Sequence, residues 1–150
     1  MKIVATNKNA HHNYEILETM EAGLALTGSE VKSIREGRIS LKESYADFQG
    51  EELFLIDCNI SPYHAAKVFN HEPTRARKLL LHRRELKRLA GKVQERGLTL
   101  IPTRVYLNDR GLVKIELALA RGKKTFEKRE TIKKRDVERE IRSELKKRLR

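Results

Sequence analysis

Alternating apolar and polar positions predict β-strands over much of the chain. Residues 14–26, "YEILETMEAGLAL", alternate around a Glu-Ala-Gly turn, which predicts strands at about 14–20 and 22–27 joined as a hairpin. Residues 44–60 predict a second hairpin that turns at Gln49-Gly50-Glu51. Residues 98–120 predict a third, which turns at Asn108-Asp109-Arg110-Gly111, and its Pro102 predicts a sheet edge or a bulge.

Two segments carry the signals of helices. In "TGSEVKSIREG", residues 27–37, Thr27 or Ser29 can cap the amino end, and a glycine ends the segment. In "RKLLLHRRELKRLAGKVQERG", residues 77–97, leucine and valine recur at helical spacing up to Gly97. The first pattern predicts a short helix inserted between strands, and the second predicts a longer helix.

The rest of the chain is polar or irregular. Residues 1–13 show no periodicity and are interpreted as a mobile arm, whereas prolines bracket a loop at 62–73. About six short strands without a βαβ rhythm predict a mainly β fold, a small antiparallel OB-like β-barrel with inserted helices and a basic C-terminal tail. We expect the barrel to occupy residues 1–120 and the tail residues 121–150.

The predicted tail holds most of the positive charge. Of its thirty residues, fourteen are Lys or Arg and six are Asp or Glu, a surplus of eight out of a net charge of +12. Its last apolar residues, from Val137 to Leu149, recur every four positions and form only a narrow stripe. Such a helix gains little from packing and repels itself, so we expect disorder in the free protein and a helix on an anionic surface.

The charge points to an anionic partner. Residues 73–88 concentrate seven cations, among them Arg75, Arg77 and Lys78, and arginine pairs well with phosphate. From Arg83 onward, the charged outer face of a helix explains the pattern equally well. Aromatic residues make up 5% and tryptophan is absent, which favours recognition of a folded RNA through its shape and backbone over base stacking.

The residues offer little for catalysis. The acidic residues do not cluster as a two-metal site requires, the five histidines lack metal-ligand spacing, and no nucleophile motif occurs. Cys58 lies alone in an apolar run and is expected to be a buried small hydrophobe. We therefore expect no enzyme activity, cofactor or metal. Without a signal core or a long apolar window, we expect a soluble, cytoplasmic protein with no membrane association. We also expect a monomer.

Several motifs together resemble the SmpB family of SsrA-binding proteins, from about Asn7 to the end of the chain. They are "NKNAHHNYEI", "EAGLALTGSEVKSIREG", "SYADF", "NISPY", "HEPTRARKLLLHRREL", "LIPTRVY" and "ARGKKTFEKRE". The resemblance implies an OB-like barrel that binds the tRNA-like domain of transfer-messenger RNA (tmRNA) and delivers it to stalled ribosomes. It also implies a non-enzymatic role in trans-translation, which combines ribosome rescue and peptide tagging. Elongation factor Tu would join through the RNA complex.

The resemblance assigns roles to individual residues. The expected RNA-binding residues are Asn7, Lys8, Tyr14, Glu21 and Leu81, with the basic Lys32, Arg35, Arg75, Arg77 and Lys78 as phosphate candidates. An acidic Glu21 would accept hydrogen bonds from base or ribose donors, or hold a loop in place. The tail would probe the empty mRNA channel near the decoding centre. Its expected contacts are Gly122, Lys123, Lys124, Phe126, Glu127, Lys128, Arg129, Arg135 and Arg139.

One tail position departs from the commoner family pattern, since Glu127 stands where many members have Asp. Two alternatives to the family function stay open from the residues alone. A general basic nucleic-acid-binding module explains the charge but not the Glu21 and EVKS motifs. A nuclease or other RNA-processing enzyme would need the acidic or histidine cluster that the sequence lacks.

Overall fold

The computed structural model describes residues 1–66, 69–123 and 139–142. The strands are β1 (Lys2–Thr6), β2 (Tyr14–Leu24), β3 (Ile39–Ser40), β4 (Tyr45–Gln49), β5 (Glu52–Ile56), β6 (Asn59–Ile60), β7 (Arg77–Leu80), β8 (Thr99–Leu107) and β9 (Val113–Gly122). The helices are α1 (Ala10–Asn13), α2 (Gly28–Arg35) and α3 (Arg83–Arg96). The four residues 139–142 are also helical and exposed.

Six strands close into a ring in the order β8-β4-β5-β7-β2-β9, and β9 pairs back onto β8. Every pairing is antiparallel. β1 extends the sheet as a seventh strand beside β8, and β3 and β6 form a separate ribbon. The predicted mainly β class and the small OB-like barrel of about six strands are confirmed.

Period-two alternation fills the barrel. On β9, Ile115, Leu117 and Leu119 point into the main core and are at most 2% exposed, while Ala118 and Ala120 face outward to a second, smaller core. α3 covers the main core with Leu89 and neighbouring apolar residues. The sheet therefore has an apolar interior and an outer surface that, apart from the small second core, is free to carry polar side chains.

Local signals position the helices as the sequence indicates. Thr27 caps α2 through a capping box, because its side chain accepts from the Glu30 N–H and the Glu30 carboxylate accepts from the Thr27 N–H. α3 ends at Gly97, whose φ of 60° is the left-handed conformation that glycine adopts most readily. The chain register shifts between Pro102 and Arg104, so the predicted bulge is confirmed.

Three predicted elements are wrong. Residues 1–13 are not an arm, since they supply β1 and α1; residues 14–24 form one continuous strand instead of a hairpin. The segment 77–80, predicted to begin the long helix, is β7, which pairs with β5 and β2 and completes the ring. In each case pairing with strands distant in sequence overrides the local pattern. The last strand also continues to Gly122, two residues beyond the predicted barrel boundary.

Candidate nucleic-acid interface

The short helix α1 is held on the outside of the barrel. Ala10, 1% exposed, packs against Ile101, Ala118 and Ala120 in the second core. Small side chains on both surfaces allow the helix to approach the strands closely. Just before α1, the Asn7 backbone N–H donates to the Thr103 carbonyl at 2.7 Å, which fixes the approach of the chain to the helix.

A polar cavity of about 420 Å³ lies beside α1 and brings two predicted RNA-binding residues together. Asn7 and Tyr14 line it, together with Asn9, Asn13 and Tyr45. The Asn7 side-chain amide donates to the Pro102 carbonyl at 2.9 Å, so this asparagine also anchors the segment to β8. The amide and phenol groups of the lining supply both donors and acceptors for bases and sugars.

A neighbouring cavity, also about 420 Å³, is lined by Lys8, Lys42 and the two residues of β3. Lys8 and Lys42 are exposed, so their ammonium groups can reach phosphate. Sequence reasoning did not select Lys42, Tyr45, Asn9 or Asn13. The quoted "SYADF" and "NKNAHHNYEI" motifs contain three of them, and only the folded chain shows that these motifs meet.

Glu21 lies on the outer face of the barrel, directly opposite Glu116 in the β2–β9 register. The Tyr106 hydroxyl donates to Oε2 of Glu21. Glu116 has different partners, since Thr103 Oγ1 donates to its Oε2 at 2.6 Å and Arg104 Nε lies 3.1 Å from the same oxygen. Glu21 itself is exposed, so it combines a fixed hydrogen bond with access to a ligand.

The phenol that holds Glu21 stays protonated over a wide pH range. Tyr106 is 7% exposed, and this burial, with the hydrogen bond to the Glu21 carboxylate as the second cause, raises the pKa of Tyr106 to about 12. Sequence reasoning missed Tyr106, although it lies in the quoted "LIPTRVY" motif. Its partner is 85 residues away in the chain, and no local pattern reveals that contact.

Arg77, predicted to contact phosphate, is completely buried. Its Nε donates to Oε2 of Glu30 at 2.5 Å, its Nη1 donates to the Cys58 carbonyl at 2.6 Å, and its Nη2 donates to the Pro73 carbonyl at 3.0 Å. The structure therefore corrects the assignment of Arg77 as a phosphate ligand. The buried Arg77 guanidinium therefore connects its own strand, β7, with Glu30 on α2. It also connects β7 with the loop after β5 and the loop before β7.

Arg75 shares the same carboxylate. Its Nε donates to Glu30 Oε2 at 3.1 Å and its Nη2 to the Ala25 carbonyl at 3.3 Å, while the side chain stays 34% exposed. Burial of Glu30 would raise its pKa, but hydrogen bonds from Arg75, the Thr27 N–H and Arg77 outweigh burial and lower the pKa of Glu30 to about 2. Arg75 can therefore meet phosphate only with the part of its guanidinium that this cluster leaves exposed.

Cys58, beside this cluster, is buried as expected, and burial raises the pKa of its thiol to about 11. The remaining phosphate candidates are exposed. On α2, the Lys32 ammonium lies 5.5 Å from the centroid of the Tyr63 ring, and Arg35 Nη2 donates to the Gly111 carbonyl at 3.5 Å. On β7, Lys78 lies 3.5 Å from a Glu52 carboxylate oxygen. Their phosphate contacts stay predictions.

Leu81 is half-buried and packs against the main core, whereas its neighbour Leu80 is 48% exposed. Leu80 lines a cavity of about 280 Å³ with Gly23, Leu112 and Arg35. A Cβ at Gly23 would lie 3.3 Å from the Leu80 Cβ, so glycine keeps this approach open. The run of three leucines in the sequence does not reveal which side chain is exposed. The alternation of buried and exposed positions along β7 places Leu80 outside.

The start of the tail is attached to α1. Gly122 pairs with Tyr14, the Lys123 N–H donates to the Asn13 carbonyl at 2.9 Å, and Lys123 Nζ donates to the His11 carbonyl at 2.6 Å. Arg139 is exposed within the helical residues 139–142. The other predicted tail contacts lie outside the described residues; they are Lys124, Phe126, Glu127, Lys128, Arg129 and Arg135.

On α3, Arg88 Nη2 and Lys92 Nζ reach the Glu18 carboxylate at 2.6 and 3.1 Å and fix the helix to β2. Both cations are therefore paired within the protein, which for Arg88 favours a structural role over phosphate binding. Within the described ranges no three His, Cys, Asp or Glu side chains are grouped to hold a metal ion. Of the helices described, none is long and apolar enough to cross a membrane.

The fold and this surface define a class of protein, a small antiparallel β-barrel whose outer face offers amides, phenols and exposed cations for nucleic-acid recognition. The family model described as "SmpB protein" matches residues 4–147. The chain belongs to the SmpB family.

Relatives share this assignment over nearly their whole length. The SsrA-binding protein of Moorella thermoacetica is 57% identical over 141 residues, which cover 94% of this chain and 91% of the relative. That of Caldicellulosiruptor saccharolyticus is 54% identical over 150 residues, which cover all of this chain and 94% of the relative. A solved chain described as "tmRNA-SmpB: a journey to the center of the bacterial ribosome" is 52% identical, with a TM-score of 0.67 and coverage of 81% of this chain and 85% of that chain.

Proposed function

We propose that this protein binds the tRNA-like domain of tmRNA and brings it to stalled ribosomes for trans-translation. The observation that carries the proposal is the solved SmpB chain described with tmRNA and the bacterial ribosome, which is 52% identical to this protein where the two align. The relatives named SsrA-binding proteins support the same partner, since their alignment with this chain spans the barrel and much of the tail region.

In this proposal the barrel supplies the RNA-binding surface. Asn7 and Tyr14 meet the RNA at the cavity beside α1, and Glu21 accepts a base or ribose donor. The exposed cations Lys8, Lys32, Arg35 and Lys78 meet phosphate, with a lesser contribution from the half-buried Arg75. Phosphate contacts position the RNA, whereas the amides, phenol and carboxylate discriminate among its edges.

The basic tail, residues 121–150, has a separate role in the proposal. It forms a helix in the vacant mRNA channel near the decoding centre, where its cations lie among ribosomal phosphates. The sequence supports this role through its surplus of eight positive charges and its narrow apolar stripe. The protein acts in the cytoplasm as a monomer without enzymatic chemistry of its own, and elongation factor Tu joins through the RNA.

Truncation tests this division of labour. Because Lys123 is bonded to α1, the shortened protein should end after Lys123, which keeps β9 and its attachments intact. We expect this variant to bind a tmRNA tRNA-like fragment within about twofold of the full chain. Tagging on ribosomes stalled without downstream mRNA should be abolished. Equal loss of both activities would contradict a separable tail.

Competition in the same binding assay distinguishes a tmRNA-specific protein from a general nucleic-acid-binding module. The full chain and the truncated chain are each bound to the labelled tmRNA fragment and challenged with bulk tRNA or duplex DNA. The tmRNA fragment should remain the preferred ligand at equal nucleotide concentration. If duplex DNA competes as well as unlabelled tmRNA fragment, charge alone determines binding and the proposed function fails.

A further inference from the structure

An acidic group on the outer face of a basic RNA-binding barrel requires a physical explanation. Glu21 lies opposite Glu116 in the β2–β9 register, so two carboxylates face each other across neighbouring strands. Like charges directly opposite are unfavourable. The surrounding residues relieve this repulsion unequally, because Arg104 and Thr103 bind Glu116 while Glu21 receives a hydrogen bond from Tyr106.

Arg104 pairs with Glu116, and among the described residues no ion pair is formed by Glu21. The described side-chain partner of Glu21 is instead a neutral hydroxyl, that of Tyr106. A carboxylate held in this way repels phosphate and accepts N–H or O–H groups, such as the Watson–Crick edge of guanine, the amino group of cytosine or a ribose 2′-hydroxyl.

Tyr106 is itself firmly held. It lies on β8 between β1 and β9, it is 7% exposed, and the Arg104 guanidinium lies 5.7 Å from the centroid of its ring. Glu21, in contrast, is exposed. An exposed glutamate usually samples several rotamers, and a ligand must remove that freedom on binding. A rigid hydroxyl bonded to Oε2 removes much of it before the RNA arrives.

We propose that Tyr106 is a positioning residue for RNA recognition: its hydroxyl fixes one oxygen of Glu21 so that the carboxylate presents its second oxygen to an N–H or O–H donor of the bound RNA. The inference rests on the proposed function and deepens it at one contact. It assigns to Tyr106 a role that operates through Glu21 and not through contact with phosphate.

Four variants of the full chain test this assignment, with the tRNA-like fragment of tmRNA as the probe. Tyr106→Phe removes only the hydroxyl, and we expect affinity to fall about three- to tenfold, the range for one ordinary hydrogen bond, because the variant loses the positioning of the carboxylate and not the RNA contact itself. Glu21→Gln should weaken binding at least as much. The double variant should bind no worse than Glu21→Gln alone, because Tyr106 acts only through the carboxylate. The fourth variant, Glu21→Asp, keeps the charge but withdraws the carboxylate, and should resemble Tyr106→Phe.

Two further measurements separate positioning from structure or charge. The slope of log K against log salt should be unchanged in Tyr106→Phe, because no phosphate contact is lost. Thr103→Val is the matched control, because Thr103 lies on β8 like Tyr106 but its hydroxyl binds Glu116. This variant should bind RNA like the unmodified protein. If Tyr106→Phe also lowers thermal stability, the Glu21→Asp result and the double-variant comparison still decide the question.

The outcomes distinguish this inference from the proposal on which it rests. If Glu21→Gln weakens binding but Tyr106→Phe and Glu21→Asp do not, the positioning role is overturned while Glu21 recognition stands. Losses that multiply in the double variant also overturn it. If none of the variants changes affinity although the protein still prefers the tmRNA fragment, both assignments at this contact fail and the wider function stands. Loss of that preference in the unmodified protein would overturn the function itself.

Discussion

Glu30 is completely buried, yet it stays ionised far below neutral pH. Arg77 and Arg75 donate to its carboxylate at 2.5 and 3.1 Å, and the Thr27 N–H donates at 2.8 Å. Removing one partner of a buried ion pair leaves the other charge uncompensated, which is more damaging than never having the pair. Glu30 therefore compensates the charge of the buried Arg77 and anchors the partly exposed Arg75.

We expect Glu30→Gln to lower the free energy of unfolding at neutral pH by about 3–5 kcal/mol, the usual consequence of breaking a buried pair. Urea denaturation at equilibrium measures it, with Glu51→Gln on the exposed β4–β5 turn as the control. The pKa of Glu30 falls from 4.5 to about 2, so its contribution of about 3 kcal/mol is present above pH 4.5 and lost as the pH falls towards 2.

The difference between the unmodified protein and Glu30→Gln should accordingly narrow as the pH decreases from 4.5 towards 2. Measuring both proteins at several values across this interval tests the sign. A difference that stays constant with pH, or that grows as the solution becomes more acidic, would show that the arginine cluster does not hold Glu30 in its ionised form.

At the scale of elements, α1 links the candidate RNA surface to the start of the tail. Four residues cannot form a stable helix alone. Ala10 holds α1 in the second core, Asn7 and Tyr14 flank it, and Lys123 bonds to its carbonyls. A change in how α1 packs should therefore alter both the candidate RNA surface and the start of the tail.

Ala10→Leu tests this dependence. Ala10 is 1% exposed, and the larger side chain would overpack the contact with Ala118 and Ala120 at a cost of about 1–3 kcal/mol. We expect weaker binding of the tmRNA fragment together with lower stability, measured by titration and thermal unfolding. Ala65→Leu at an exposed turn is the control. If Ala10→Leu leaves the RNA affinity unchanged, RNA binding does not depend on how α1 packs.

The sequence predicted the elements whose signals are local. The Thr27 cap and the Gly97 end of α3 are each read within a few residues, and the β4–β5 and β8–β9 hairpins follow from alternation and turn residues. Elements defined by distant partners were missed or misread. β1 was missed because it pairs with β8, about a hundred residues later in the chain. Residues 77–80 were assigned to a helix because their leucines fit helical spacing, but they form a strand between β5 and β2.

The candidate site divides in the same way. Motifs identified Asn7, Tyr14 and Glu21, and the structure adds where they lie and what holds them. Arg77 was selected because it is basic and lies within a matching motif beside exposed cations. Its carboxylate partner lies 47 residues away, and only the tertiary structure shows that the charge is already neutralised.

At the scale of the whole molecule, much of the barrel's charge is balanced internally. Arg88, Lys92 and Arg104 bind carboxylates on neighbouring elements. The thirty-residue tail carries a surplus of eight positive charges out of twelve. The barrel therefore holds a limited number of cations for RNA phosphates, while most of the surplus charge lies in the tail.

This distribution predicts the salt dependence of binding. If the barrel neutralises about six phosphates of the tRNA-like fragment, log K should fall with log salt with a slope of roughly −4 to −5. The protein truncated after Lys123 should give the same slope as the full chain, because in the proposed function the tail engages the ribosome and not this RNA. Titrations between 50 and about 300 mM salt measure both slopes. A full-chain slope steeper by several units would mean that the tail also binds the tRNA-like domain. The barrel and the tail would then bind the same RNA, instead of the barrel binding the tRNA-like domain and the tail binding the ribosome.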